Sequence, residues 1–205
     1  MRGHSGLAVV LALAMTLLAG MEASAHRTEG YLQAARIGIE PDGVRITLDV
    51  TPGIAVADSF LAALDQDRDG RLSTDEQRGY AEQVLRDLQV AIDGRRLASQ
   101  VMSSSFPEPS AMRRGEGTLR LSFQAALPEV SAGGHQLLFR NAHLSGHSAY
   151  LANALVPESA RVAVTAQRRD RDQSELTIEY AVHAGEAGAT LAWVRSGLTA
   201  VFRLP

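Results

Sequence analysis

The sequence predicts a mainly β protein, an antiparallel β-sandwich into which a helix–loop–helix is inserted. Residues 44–50, 119–125 and 176–182 alternate apolar and polar side chains with the period of two that is typical of half-buried strands. Turn signals separate these segments from weaker strand candidates, and many short strands joined by turns are typical of a sandwich. A helical repeat replaces this alternation at about residues 54–88, which places the insertion between two strands.

The weaker strand candidates are short runs of apolar and β-branched residues. They cover residues 31–39, 88–92, 97–103, 135–140, 150–155 and 162–166. Glycine, proline, aspartate or serine clusters bound them, as in Pro41-Asp42-Gly43 and Asp93-Gly94. The segment 107–117 contains prolines and arginines and is predicted to be a polar loop.

The N-terminus has the features of a secretory signal peptide. An apolar run at residues 7–20 follows a short polar stretch, and Ala23-Ser24-Ala25 forms a small-residue cleavage site. We therefore expect residues 1–25 to be removed and residues 26–205 to form one β-rich domain. That domain is expected to be exported, to the periplasm or the medium, and to contain no membrane span.

Composition excludes several classes of function. The formal net charge is −3, which does not indicate nucleic acid or an anionic membrane surface as the partner. The sequence has no cysteine, so a disulfide, a thiolate metal site and a cysteine nucleophile are all excluded. No serine lies in a nucleophile-elbow context, and we expect the protein not to be an enzyme.

Two helices are predicted around an acidic loop. Residues 56–64 form a short apolar-faced segment before it. After it, Thr74 is predicted to cap a second helix, in which Tyr80, Val84 and Leu88 recur every four residues on one face. The expected arrangement is a helix, a loop of twelve residues and a second helix.

The loop, residues 65–76, has the spacing D-x-D-x-D-G-x₅-E and resembles the EF-hand calcium loop. Calcium is a hard cation that takes six to eight oxygen ligands. The predicted ligands are the carboxylates of Asp65, Asp67 and Asp69, the carbonyl of Arg71, the hydroxyl of Ser73 directly or through water, and both carboxylate oxygens of Glu76. Gly70 lies where the loop must turn sharply. The alternative is a polar surface loop between two helices.

A second resemblance covers most of residues 25–184. It rests on segments 25–27, 31–32, 48–53, 80–88, 139–141, 150–157 and 167–174. These resemble the exported N-terminal domain of some HupE/UreJ-like membrane proteins, a group related to hydrogenase and urease accessory nickel transporters. The resemblance implies a metal-handling role and a possible membrane-protein partner. In such proteins a polytopic membrane region follows, so we do not predict transport for residues 1–205.

Histidines offer an alternative metal site. His143 and His147 are four apart, a spacing that on a helix places both on one face for zinc or nickel, although Gly146 disfavours a helix there. Two polar loop histidines are the other interpretation. His26, as the first mature residue, has an α-amino group and an imidazole that together can chelate copper, whereas a flexible first residue is the simpler alternative.

These observations predict a non-enzymatic, exported calcium-binding domain in which the ion is mainly structural. A single loop lacks the paired partner with which calcium sensors usually cooperate. The alternatives are a calcium-responsive or metal-handling periplasmic accessory protein that works with a membrane transporter, and a metallochaperone or enzyme that uses the histidines.

Overall fold

The computed structural model describes residues 29–127 and 130–184. These residues contain two five-stranded sheets and three complete helices. The strands are β1 (Tyr31–Glu40), β2 (Gly43–Pro52), β3 (Leu88–Ile92), β4 (Arg95–Arg96), β5 (Ser99–Ser105), β6 (Leu119–Ala126), β7 (Gly133–Asn141), β8 (Ser148–Ala154), β9 (Val162–Arg169) and β10 (Glu175–Val182). The predicted mainly β class is confirmed. The predicted signal peptide, His26 and residues 185–205 lie outside the described residues.

Each sheet mixes strands from both halves of the chain. Sheet A has the order β5-β6-β2-β1-β8, and sheet B has the order β4-β3-β7-β10-β9. All neighbouring strands are antiparallel except β1 and β8, which are parallel. The predicted antiparallel arrangement is therefore present except at this pair. Alternation fixes which face of a strand is buried, but it does not fix the direction of its neighbour.

The alternating residues of the two sheets meet in one buried cluster. The alternating apolar residues 44–50 of β2 and 119–125 of β6, among them Leu48 and Phe123, are 0% exposed, and so are Leu176 and Ile178 of β10. All of them belong to the same hydrophobic core. The period-two pattern in the sequence therefore marks the faces of sheets A and B that turn away from water.

A two-residue turn joins β3 to β4. Asp93 and Gly94 have φ values of 49° and 81°, and Ile92 pairs with Arg95 across the turn. Positive φ at both central residues is the geometry that Asp-Gly accommodates in tight hairpins. The two-residue strand β4 that follows this turn was not predicted, because Arg95-Arg96 has no alternation.

Helices α1 (Ile54–Leu64) and α2 (Thr74–Asp87) lie between β2 of sheet A and β3 of sheet B. The large buried side chains of both helices, among them Phe60, Leu64 and Tyr80, belong to the shared core. The Phe60 and Tyr80 rings meet edge to face at 5.4 Å between centroids. The helical segment predicted at about 54–88 is therefore present, and it forms one of the connections between the two sheets.

A third helix lies in the segment that was predicted to be a loop. Helix α3 (Pro109–Arg113) has proline in its first turn, where the missing amide hydrogen is not needed. Its Met112 is 0% exposed, and Arg113 forms a 2.8 Å ion pair with Asp58 of α1. Burial of Met112 explains why this polar segment is helical. Over the described residues, every helix is too short or too polar to cross a membrane.

Candidate metal centre

The ends of α1 and α2 hold the acidic loop. The amide of Asp65 donates to the carbonyl of Leu61 at 2.9 Å and so extends the last turn of α1. Ser73 caps α2: its hydroxyl accepts the amide of Glu76 at 3.3 Å, and the Glu76 carboxylate accepts the amide of Ser73 at 2.8 Å. This reciprocal pair is a capping box. The predicted cap, Thr74, is wrong by one residue because only Ser73 has extended backbone and reaches the free amide.

Within the loop, the backbone wraps around one carboxylate. Asp65 accepts hydrogen bonds from the amides of Asp69 at 3.1 Å and Gly70 at 2.9 Å. Gly70 has φ of 81°, a conformation that side chains other than glycine rarely adopt, and Arg68 has φ of 62°. The sharp turn predicted at Gly70 is present, and it directs backbone amides towards the first loop residue.

Three of the predicted ligands come together. One carboxylate oxygen from each of Asp65, Asp67 and Glu76 lies within 4.8 Å of the other two. Glu76 reaches the start of the loop, where its Oε1 accepts the amide of Gln66 at 2.7 Å. Like charges at this separation repel one another. A cluster that offers only oxygen donors suits a hard cation such as calcium or magnesium.

Two carboxyl groups of the cluster have pKa values shifted in opposite directions. Hydrogen bonds from the amide and hydroxyl of Ser73 and from the amide of Gln66 lower the pKa of Glu76 below its ordinary value. For Asp67, the amide of Asp69 lowers the pKa. Desolvation and the charges of Asp69 and Glu76 outweigh that hydrogen bond, and the net pKa of Asp67 is raised. Desolvation and the neighbouring carboxylates therefore disfavour the charged form of Asp67, and a cation would relieve this repulsion.

The other three predicted ligands lie beside this group. Asp69 uses its Oδ1 to accept the amide of Arg71 at 2.7 Å, and it is not a member of the three-residue cluster. The hydroxyl of Ser73 donates to the Oε2 of Glu76 at 2.8 Å. The structure thus assembles Asp65, Asp67 and Glu76, while the roles of Asp69, Arg71 and Ser73 stay predictions.

The back of the loop is attached to the protein. Leu72 is half-buried and packs against the hydrophobic core. Gln77 of α2 donates its side-chain amide to the carbonyl of Leu72 at 2.8 Å. The acidic cluster faces solvent on one side of the loop, and Leu72 fixes the other side to the fold.

A buried histidine fixes α2 to the rest of the protein. His143, 1% exposed, lies in the connection between β7 and β8. Its Nδ1 is 2.7 Å from the Oδ2 of Asp87, and its Nε2 is 3.0 Å from the hydroxyl of Tyr80. A neutral imidazole fits these partners, because Nδ1–H donates to the carboxylate while Nε2 accepts from the phenol. Burial lowers the pKa of His143, although Asp87 acts in the opposite direction.

This arrangement differs from both predictions made for the histidine pair. The connection between β7 and β8 is a turn and not a helix, and His147 is exposed. Both ring nitrogens of His143 are already hydrogen-bonded, so they are not free for a metal. Both histidines lie in a loop, but the ring of His143 is buried there, which neither interpretation predicted.

Two further buried polar residues complete the network. Asn141 donates to the side-chain oxygen of Gln33 at 2.8 Å and accepts the amide of His143 at 2.9 Å. Gln33 and Tyr150 both donate to the carbonyl of His143, at 2.8 and 2.7 Å. Sequence reasoning missed this network. The sequence feature that could have indicated it is Gln33, a polar residue at an inward-facing position of the alternating strand β1.

No protein-family model, no curated protein and no solved structure matches this chain. The resemblances to the EF-hand loop and to the exported domain of HupE/UreJ-like proteins therefore stay predictions, and the loop geometry carries the functional argument.

The His143 network leads to a prediction for Tyr80. Tyr80→Phe removes the hydroxyl and leaves the buried Nε2 of His143 without its donor, which is expected to cost about 1–3 kcal/mol of unfolding free energy. Denaturant unfolding followed by circular dichroism measures this. Tyr31→Phe is the matched control, because the Tyr31 hydroxyl forms no hydrogen bond to the described residues and the same atom is lost. Equal effects in the two variants would contradict the role assigned to the Tyr80–His143 hydrogen bond.

Proposed function

We propose that this chain is a non-enzymatic calcium-binding domain: a β-sandwich that carries one EF-hand, formed by residues 54–88, in one of the connections between its sheets. The observation that carries the proposal is the meeting of Asp65, Asp67 and Glu76 within 4.8 Å. These residues occupy the first, third and last positions of a loop with calcium-binding spacing. Chain spacing and three-dimensional proximity therefore support the same site.

The chemistry of the loop favours calcium. Its predicted ligands are all oxygen atoms, from carboxylates, a carbonyl and a hydroxyl, and the chain has no cysteine to attract a softer metal. A flexible loop of this length supplies the six to eight ligands that calcium takes, whereas magnesium requires a tighter octahedron and keeps several waters. A bound divalent cation would also offset the mutual repulsion of the clustered carboxylates.

The packing of the helices supports a structural ion. Sensor sites open their helices and expose an apolar groove when calcium binds. Here Phe60 and Tyr80 join the two helices to the common core, and Tyr80 and Asp87 hold His143. Opening would break these contacts. Among the described residues, the acidic loop is also the one cluster suited to a metal, so no paired second site supplies cooperativity.

A structural ion in an exported protein does not require tight binding. Extracellular calcium modules function with dissociation constants of about 10⁻⁴–10⁻³ M. Ion binding to the folded chain alone stabilises it by mass action, and this can replace some of the stabilisation that disulfides give other exported domains. We retain a membrane protein as the partner suggested by the HupE/UreJ-like resemblance.

Isothermal titration calorimetry with the exported protein tests the metal assignment. The wild-type chain is expected to bind one calcium. Glu76→Gln removes one negative charge from a bidentate ligand while keeping the shape of the side chain, and it is expected to weaken binding at least about tenfold, or about 1.4 kcal/mol. Glu82→Gln is the matched control, because Glu82 is exposed on α2 outside the loop.

Two results would refute the assignment. One is calcium affinity in Glu76→Gln equal to that of the wild type, with both proteins folded by circular dichroism. The other is an equal loss of affinity in Glu82→Gln, which would indicate general electrostatic attraction and not a built site.

Export is tested separately by the mass of the mature protein. Cleavage after Ala25 would leave His26 as the first residue, because Ala23-Ser24-Ala25 has the small side chains that signal peptidase sites require. Intact-mass measurement of the protein recovered outside the cytoplasm is expected to give the chain from His26. Recovery of the chain with Met1 attached would contradict cleavage.

A further inference from the structure

His135, at the start of β7, lies between two hydrogen-bond acceptors. Its Nδ1 is 2.8 Å from the Oδ2 of Asp93, in the β3–β4 turn, and its Nε2 is 2.9 Å from the carbonyl oxygen of Ser131. The side chain is only 10% exposed. Neither partner has a hydrogen to give, since one is a carboxylate and the other a carbonyl.

This environment selects one protonation state. A neutral imidazole carries a single N–H and can donate to only one of the two acceptors, whereas an imidazolium donates to both. His143 provides the contrast within the same protein. Its partners are an acceptor, Asp87, and a donor, the Tyr80 hydroxyl, which together suit the neutral ring. The hydrogen bonds of His135 are complete only when its ring is protonated.

The groups around His135 favour the same state. The Tyr180 ring packs against the imidazole at 5.6 Å between centroids, within the range where an aromatic face attracts a cation. Burial, followed by the charge of Asp93, raises the pKa of Tyr180 to about 12, so the phenol stays neutral. Glu179, which precedes Tyr180 on β10, forms an ion pair with Arg168 of β9 at 2.7 Å. Asp93 is the charged group in contact with the His135 ring, at 2.8 Å.

We propose that His135 is a proton-dependent latch that joins the β3–β4 turn and the Ser131 segment to the start of β7. Asp93 serves both sides of the latch, because its Oδ1 accepts the amide of Gln136 at 2.9 Å while its Oδ2 binds the ring. Loss of the proton removes one of the two ring hydrogen bonds and the attraction between the ring and Asp93. The inference is independent of calcium, since His135 and Asp93 are not part of the acidic loop.

The sign of the pH dependence follows from two opposite shifts. Hydrogen bonds to Asp93 and then to Ser131 raise the pKa of His135, so its contribution to stability is full below the ordinary histidine pKa and is lost as pH rises through the raised value. The His135 hydrogen bond, followed by the Gln136 amide, lowers the pKa of Asp93. Its contribution is lost as pH falls through that lowered value. The latch is closed in the acidic-to-neutral window between these two limits.

Nuclear magnetic resonance titration of the exported protein tests the latch directly. The ring signals of His135, assigned by their loss in His135→Gln, are expected to titrate with a midpoint above the ordinary value of about 6.5. The amide signal of Gln136 is expected to titrate with the same midpoint. In Asp93→Asn, which keeps the shape but removes the charge, the His135 midpoint is expected to fall towards about 6.5. His147→Gln, an exposed control, is expected to leave it unchanged.

The midpoint in the wild-type protein can overturn the proposal even if Asp93→Asn does not fold. A His135 midpoint at or below about 6.5 would contradict it. A Gln136 amide that titrates independently of His135 would do so as well. An unchanged midpoint in folded Asp93→Asn would show that Asp93 does not hold the proton on the ring.

Discussion

The hydrogen bonds of His143 with Tyr80 and Asp87 are the interaction on which the placement of the acidic loop depends. Strands β2 and β3 belong to different sheets, so the helix–loop–helix is one of the connections between the sheets. This connection is held by apolar burial of α1 and α2 and by a buried ring whose two nitrogens are both hydrogen-bonded. Loss of either partner leaves a polar atom buried and unsatisfied, which costs more than the hydrogen bond itself contributes.

The acidic loop is fixed at both ends, and the carboxylates that it brings together repel one another. The last turn of α1 and the capping box of α2 set the separation of Asp65 and Glu76, and Leu72 attaches the loop to the core. Backbone amides satisfy part of the negative charge, yet the pKa of Asp67 is still raised by its neighbours. The fold therefore concentrates negative charge at one point, and a bound cation would convert this repulsion into attraction between the two helices.

Local sequence patterns predicted most of the strands and helices, but they could not predict contacts between distant segments. Period two identified β2, β6 and β10 because each strand buries one face, and Asp93-Gly94 identified a turn because few residue pairs tolerate its φ values. The loop spacing identified the residues that come together. The sequence could not specify that β8 runs parallel to β1, or that His143 is buried, because both depend on contacts between distant segments. Helix α3 was missed for the same reason, since only burial of Met112 explains it.

Hydrogen exchange with calcium and with chelator tests the central claim that the ion is structural. At a calcium concentration of about 100 times the dissociation constant, calcium is expected to add about 2.7 kcal/mol to stability. This corresponds to about a hundredfold slower exchange of amides that exchange only through unfolding, where refolding is faster than exchange. The account predicts that chelator lowers the protection of residues 54–88 first, while β2, β6 and β10 stay protected. Unchanged protection of residues 54–88, together with greater binding of a hydrophobic dye when calcium is added, would contradict it.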